Sequence, residues 1–211
     1  MEHNEKIKIL VLTDIHSDYD AAKMAYESTN PDLVLDCGDH TDIRNISGLT
    51  PHYFVHGNHE PTSILLDSEG YPLPAKINSD QIYSFEKGEL KVRFSGVGGN
   101  YSSRKDEKHI NEKDIPNLKS ISAGGLDVLL FHESPLNILE ENNQFPLAQK
   151  VIDEIKRIRP KFVFSGHTGI YSENNSGKVH LVNLMDAGKG FGILEIDSSR
   201  YNFSRVISRY R

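Results

Sequence analysis

Short apolar, β-branched runs recur along the chain, and each gives way to polar or glycine-rich residues. That is the pattern of strands buried on both faces. KIKILVLTD (6–14), PDLVLDCGD (31–39), HYFVHGN (52–58), LKVRFSGVGGN (90–100), LDVLLFHES (126–134) and KFVFSGHTG (161–169) read as six such strands. KVHLVNL (178–184) and FGILEID (191–197) read as a closing antiparallel pair, and the alternation in YNFSRVIS (201–208) as an edge strand. Helices are predicted between them. One covers 17–30, with Ser17 or Asp18 as N-cap. A second covers 61–70, from Pro61 at a first helical position to Gly70. A third lies in 142–160, where Leu147, Val151, Ile155 and Ile158 make an apolar stripe that Pro160 ends. The polar stretch 102–117 reads as a surface excursion with a short helix. Strand and helix alternate early and strands dominate late, which argues for a layered α/β fold. Without a repeat or linker, one domain over 1–211 is the simplest organisation.

The strand ends carry the chemistry. The first finishes in Asp14-Ile15-His16, the second in Gly38-Asp39-His40-Thr41-Asp42, and the third in Gly57-Asn58-His59-Glu60. The fifth finishes in His132-Glu133 and the sixth in Gly166-His167-Thr168-Gly169. Ligands of open α/β sheets gather at the carboxyl ends of parallel strands, so these side chains should converge. Asp14 and His16 are two apart in an extended segment and can point the same way. With Asp39, Asn58, His132 and His167 they form a mixed oxygen and nitrogen set. Such a set suits manganese, iron, zinc or nickel better than magnesium or calcium. His40 and His56 flank these positions and read as pocket-lining groups, as supports behind the site or as surface residues. Glu60 and Glu133 read as caps or ion-pair partners, and Cys37 as core filler.

Composition narrows the partners. A net charge of −6, with no basic run, argues against a nucleic-acid polymer as ligand. The single cysteine permits no internal disulfide and no CxxC zinc site, which fits a reducing, cytoplasmic setting. The longest apolar run near the N-terminus, ILVL, is far too short for a signal segment or a membrane span, so no membrane partner is expected. SGVGGN (95–100) is not a dinucleotide fingerprint, because Tyr101 stands where the last glycine would be needed.

DIH, GDHTD, GNHE, FHESP and GHT, in that order, resemble the motifs of the calcineurin-like metallophosphoesterases, and the resemblance runs from residue 7 to about 196. It implies a four-layer α/β/β/α sandwich around two divalent metal ions. It also implies hydrolysis of a small phosphomonoester or phosphodiester by a hydroxide that bridges the ions. Carried over residue by residue, Asp14 and His16 would hold the first metal, Asp39 would bridge both, and Asn58, His132 and His167 would complete the second. His59 would be catalytic, donating to a phosphoryl or leaving-group oxygen, with Asp42 orienting it. The family usually ends this set with Gly-His-x-His; here Gly169 replaces the last histidine, which predicts weaker binding at the first site. His180 and Asp186 are nearby candidates to fill the gap, and no spacing selects either. A catalytically weak or inactive scaffold on the same fold, like the retromer-type subunits that resemble phosphoesterases, is the alternative. A nuclease is a weaker third.

Overall fold

The computed structural model describes residues 5–49, 51–60, 75–102, 108–135 and 146–208. Two six-stranded sheets face each other. In the first, β1 (Ile7–Leu12), β2 (Leu33–Asp36), β3 (His52–Phe54) and β4 (Ala75–Lys76) run parallel. On the other side of β1, β11 (Gly190–Ile196) pairs antiparallel, and β12 (Tyr201–Ile207) follows it at the edge. In the second, β6 (Leu90–Val97), β7 (Val128–Glu133), β8 (Phe162–Gly166) and β10 (Val179–Asn183) are parallel. β5 (Tyr83–Lys87) and β9 (Ser172–Ser176) pair antiparallel at its two edges.

Alternation along each strand divides the apolar residues between two faces. One face of each sheet points inward: Ile7, Ile9, Val11, Leu33 and Leu35 meet Phe94, Val128, Leu130, Phe164 and Val182. Outside the first sheet, Leu10, Leu12 and Val34 pack on Ala22 and Ala25 of α1 (Tyr19–Thr29) and on the 3₁₀ turn Ile43–Ile46. Outside the second, Leu129, Phe131 and Val163 pack on Leu118 of α2 (Asp114–Ser120) and on Ala148, Val151, Ile155 and Ile158 of α3 (Pro146–Ile158). Three apolar layers thus separate four layers of structure, in the order α/β/β/α.

Asp18 caps α1 by accepting from the Ala21 N–H at 3.3 Å, and Asn30 ends it in the left-handed region. The stripe read from 142–160 lies on α3, where Val151, Ile155 and Ile158 are buried. The helix expected over 61–70 lies outside the described residues. The expected closing pair is not a pair: residues 179–183 join the second sheet beside β8, while 190–196 join the first beside β1. The chain crosses between sheets in the turn connecting them. No described helix is long and apolar enough to cross a membrane.

Candidate metal centre

The ends of β1 and β2 are bound backbone to backbone. The Asp14 N–H donates to the Gly38 carbonyl at 2.8 Å and the His16 N–H to the Asp39 carbonyl at 2.7 Å. Asp14, His16, Asp39 and His167 all sit at positive φ (49°, 50°, 65° and 72°). Each such residue costs on the order of 1–3 kcal/mol and persists only where its surroundings enforce it. Two glycines make the crowding possible. A Cβ on Gly57 would lie 2.0 Å from Asp39 Oδ1, and one on Gly166 would lie 1.8 Å from Thr13 Oγ1 and 2.4 Å from Asp14 Oδ2. In the second sheet the register of β7 against β8 shifts between Leu130 and Glu133, the stretch of β7 that carries His132. An irregularity of that kind re-aims a side chain.

His132 is fully buried, and its Nδ1 lies 2.8 Å from the Cys37 carbonyl, which can only accept. Nδ1 therefore carries a proton, and in the neutral ring Nε2 presents a lone pair. That Nε2 lies 3.0 Å from Asn58 Oδ1, 3.1 Å from His167 Nδ1 and 3.4 Å from Asp39 Oδ2. His167 has at most one proton to offer at Nδ1; the two oxygens have none. Burial first, and then His132 beside it, lowers the His167 pKa and favours the neutral ring that binds a cation. Such a convergence of lone pairs is the chemistry of a metal site, and the residues fit one.

Asp39, His132 and His167 each offer an atom within 4.8 Å of the others, as do Asp14, His16 and Asp39, so Asp39 belongs to both groups. Its two oxygens divide the work: Oδ1 accepts from the His59 N–H at 2.9 Å, and Oδ2 turns to His132. Asp14 Oδ2 is held by Thr13 Oγ1 at 2.6 Å and the His167 N–H at 2.8 Å, which leaves Oδ1 toward His16 at 4.0 Å. Asp14, Asp39 and His132 are buried, whereas the His16 and His59 side chains are 47% and 60% exposed, so one side of the centre opens to solvent. The two exposed rings stand edge to face, 5.5 Å apart.

All six expected ligands come together. Asp42 does not take the position expected of it. It caps the 3₁₀ turn, and its carboxylate accepts from the Arg44 N–H at 3.0 Å, Nε at 2.9 Å and Nη2 at 2.7 Å. The carboxylate near the His59 ring is that of Asp39, 3.8 Å from Nε2.

Behind the centre lies a buried network that the sequence pattern does not assemble. The His40 ring is wedged between Asp36 Oδ2 and Glu60 Oε1, each at 2.9 Å. Both partners only accept, so both ring nitrogens are protonated. Burial opposes that charge, yet Asp36 and then Glu60 raise the His40 pKa to about 10. Glu60 is held down to about 2, burial being outweighed by His40, and Asp36 lies well below the usual carboxylate range for the same reason. His52 lies 3.3 Å from Asp36, and burial lowers its pKa. Although Asp36, His40 and His52 also cluster within 4.8 Å, Asp36 Oδ2 is already engaged by the proton on His40 Nε2. Glu60 accepts further from the His40 N–H at 3.0 Å and the Gly57 N–H at 2.7 Å. It thereby ties the segment that bears Asp39 to the segment that bears Asn58 and His59.

A family model described as the calcineurin-like phosphoesterase superfamily domain matches residues 7–190. No curated protein matches the chain in sequence. Among solved structures, TT1561 of Thermus thermophilus is similar with a TM-score of 0.63 at 16% identity, over 95% of this chain and 99% of that one. GAP50, described as the anchor in the inner membrane complex of Plasmodium, gives 0.64 at 11% identity, over 97% and 85%. An archaeal phosphodiesterase gives 0.51 at 15% identity, over 96% and 100%. At these identities the likeness is one of fold.

Proposed function

We propose that this chain, which belongs to the calcineurin-like phosphoesterase superfamily, is a two-metal phosphohydrolase acting on a small phosphomonoester or phosphodiester. The observation that carries the reading is Asp39, one buried carboxylate shared by two ligand groups beneath an open face. Manganese, iron, zinc or nickel would suit the donors. Two such ions would lower the pKa of a shared water and neutralise charge on the phosphoryl oxygens. Asp14, His16 and Asp39 would hold one ion; Asp39, Asn58, His132 and His167 the other. His132 is fixed in the right tautomer by its Nδ1–H to the Cys37 carbonyl.

His59 is not part of either ligand group, and its ring faces solvent beside Asp39. It would donate a proton to a phosphoryl or leaving-group oxygen, with Asp39 rather than Asp42 in reach of its Nε2. A polar hollow begins at His56, two residues before Asn58, and is lined also by Lys76, Asn78, His109 and Lys113. Asp80 and Asp114 line it as well, so it offers polar contacts of both signs to the unreacting part of a small substrate. A cytoplasmic setting belongs to the same proposal, supported by the buried free thiol of Cys37.

The test is hydrolysis of bis(p-nitrophenyl) phosphate and of p-nitrophenyl phosphate by the manganese-loaded protein. Asp39→Asn and His167→Ala should abolish turnover and reduce bound metal. Full metal occupancy without turnover of either ester would overturn the proposal and favour the scaffold reading. That alternative draws support from GAP50, a protein of similar fold described as an anchor.

A further inference from the structure

The two ligand groups are unequal. Asn58, His132 and His167 join Asp39 on one side, whereas Asp14 and His16 alone join it on the other. Divalent transition ions take four or more ligands, and protein side chains commonly supply three or four. Gly169, just beyond His167, adds nothing. The space beside it, however, is occupied. The atom nearest to a Cβ built on Gly169 is Asp186 Oδ1, at 2.9 Å, with Oδ2 farther off at 3.7 Å. Oδ2 is taken by the Lys189 ammonium at 2.5 Å. One oxygen of Asp186 is thus fixed by a cation of the chain, and the other is turned to the gap that Gly169 leaves.

The turn bearing Asp186 is pinned to both halves of the centre. Ahead of it, the Leu184 N–H donates to the Ser165 carbonyl at 2.7 Å, two residues before His167. Behind it, the Ala187 N–H donates to the Thr13 carbonyl at 3.1 Å, one residue before Asp14. Lys189 has its pKa raised chiefly by Asp186, with Asp14 also contributing, so the ammonium stands within the field of a ligand of the first site. His180, the other nearby candidate, is turned to Glu173 at 2.6 Å.

We propose that Asp186 is a further ligand of the first metal. Its Oδ1 fills the position that residue 169, lacking a side chain, leaves open, and Lys189 holds Oδ2 so that Oδ1 faces the ion. The inference rests on the two-metal reading of the same centre. Lys189 in this role resembles the outer partners that orient metal ligands elsewhere.

Metal-stripped protein titrated with Mn²⁺ tests it, with bound metal read by equilibrium dialysis and Mn–Mn coupling by EPR. The wild type should take up two equivalents and give a coupled signal. Asp186→Asn, nearly isosteric, and Asp186→Ala should leave the tighter equivalent unchanged and weaken the other by about 10-fold or more, as loss of even an outer partner does. Gly169→His in the Asp186→Ala background should restore the coupled signal. Lys189→Gln should weaken the same equivalent by a smaller factor. Thermal melting of the metal-free variants identifies any that misfold. If both Asp186 variants fold and bind the second equivalent like the wild type, the proposal is wrong. Asp39→Asn separates the two levels: should it retain both equivalents, the two-metal reading itself fails, whatever Asp186 does.

Discussion

Replacing His40 by alanine should be among the most damaging single changes in the molecule, although His40 touches no expected metal ligand through its ring. The change removes a buried imidazolium and leaves Asp36 and Glu60 without their shared counter-charge. A pKa raised from 6.5 to about 10 corresponds to roughly 5 kcal/mol of preference for the charged ring. Breaking a buried pair by deleting one partner costs about 3–5 kcal/mol. The two figures agree, and in a chain of 211 residues they predict a melting temperature lower by about 6–20 °C. Circular dichroism melts of metal-stripped protein at pH 6 measure this directly. The pH dependence has a definite sign. The His40 contribution is full below pH 6.5 and is lost as pH rises toward 10. The Glu60 contribution is full above 4.5 and is lost as pH falls toward 2. The deficit of His40→Ala should therefore be largest between these limits and shrink on either side, and Glu60→Gln in the same chain should recover part of it. A variant melting within about 2 °C of the wild type at pH 6, or a deficit that grows toward pH 9, would refute the reasoning.

His59→Ala should slow turnover by about 10²–10⁴-fold with bound manganese unchanged, as steady-state kinetics beside metal analysis will show; a wild-type kcat would remove His59 from the chemistry. Gly57→Ala places a methyl 2.0 Å from Asp39 Oδ1 and should cost about 1–3 kcal/mol while lowering metal content, measured by urea unfolding and metal analysis. Asp42→Ala should cost about 1 kcal/mol through the lost cap while leaving kcat within about twofold; a fall of about 10²-fold would restore the orienting role that its contact with Arg44 argues against.

The sequence was most legible where its signal was local. Continuous apolar runs disclosed β1, β2, β7 and β8, because a strand buried on both faces leaves no polar position to hide it. The candidate ligands were legible because each lies at or just beyond the end of such a run. Partnership between distant segments was not. Residues 179–183 and 190–196 have the spacing of a hairpin, yet nothing in their pattern says which sheet each will join. β9, the segment SENNS, is exposed along its whole length and carries no apolar mark. Asp36 carries no sign of its role, since its partners His40 and His52 come from 4 and 16 residues onward and meet it only after the sheet forms. The Asp42–Arg44 contact spans two residues and was in principle readable; the motif's pattern assigned that carboxylate to His59 instead.

Asp14, Asp39 and Asn58 follow strands of one sheet, and His132 and His167 belong to or follow strands of the other. A cation gripped by both would therefore rivet the sandwich across its inner seam. Free metal then becomes a mechanical setting as well as a chemical one. At about a hundredfold excess over the dissociation constant, occupancy adds roughly 2.7 kcal/mol to the folded state, and a chelator withdraws it. Scarcity of the ion would therefore loosen the protein before it emptied the site.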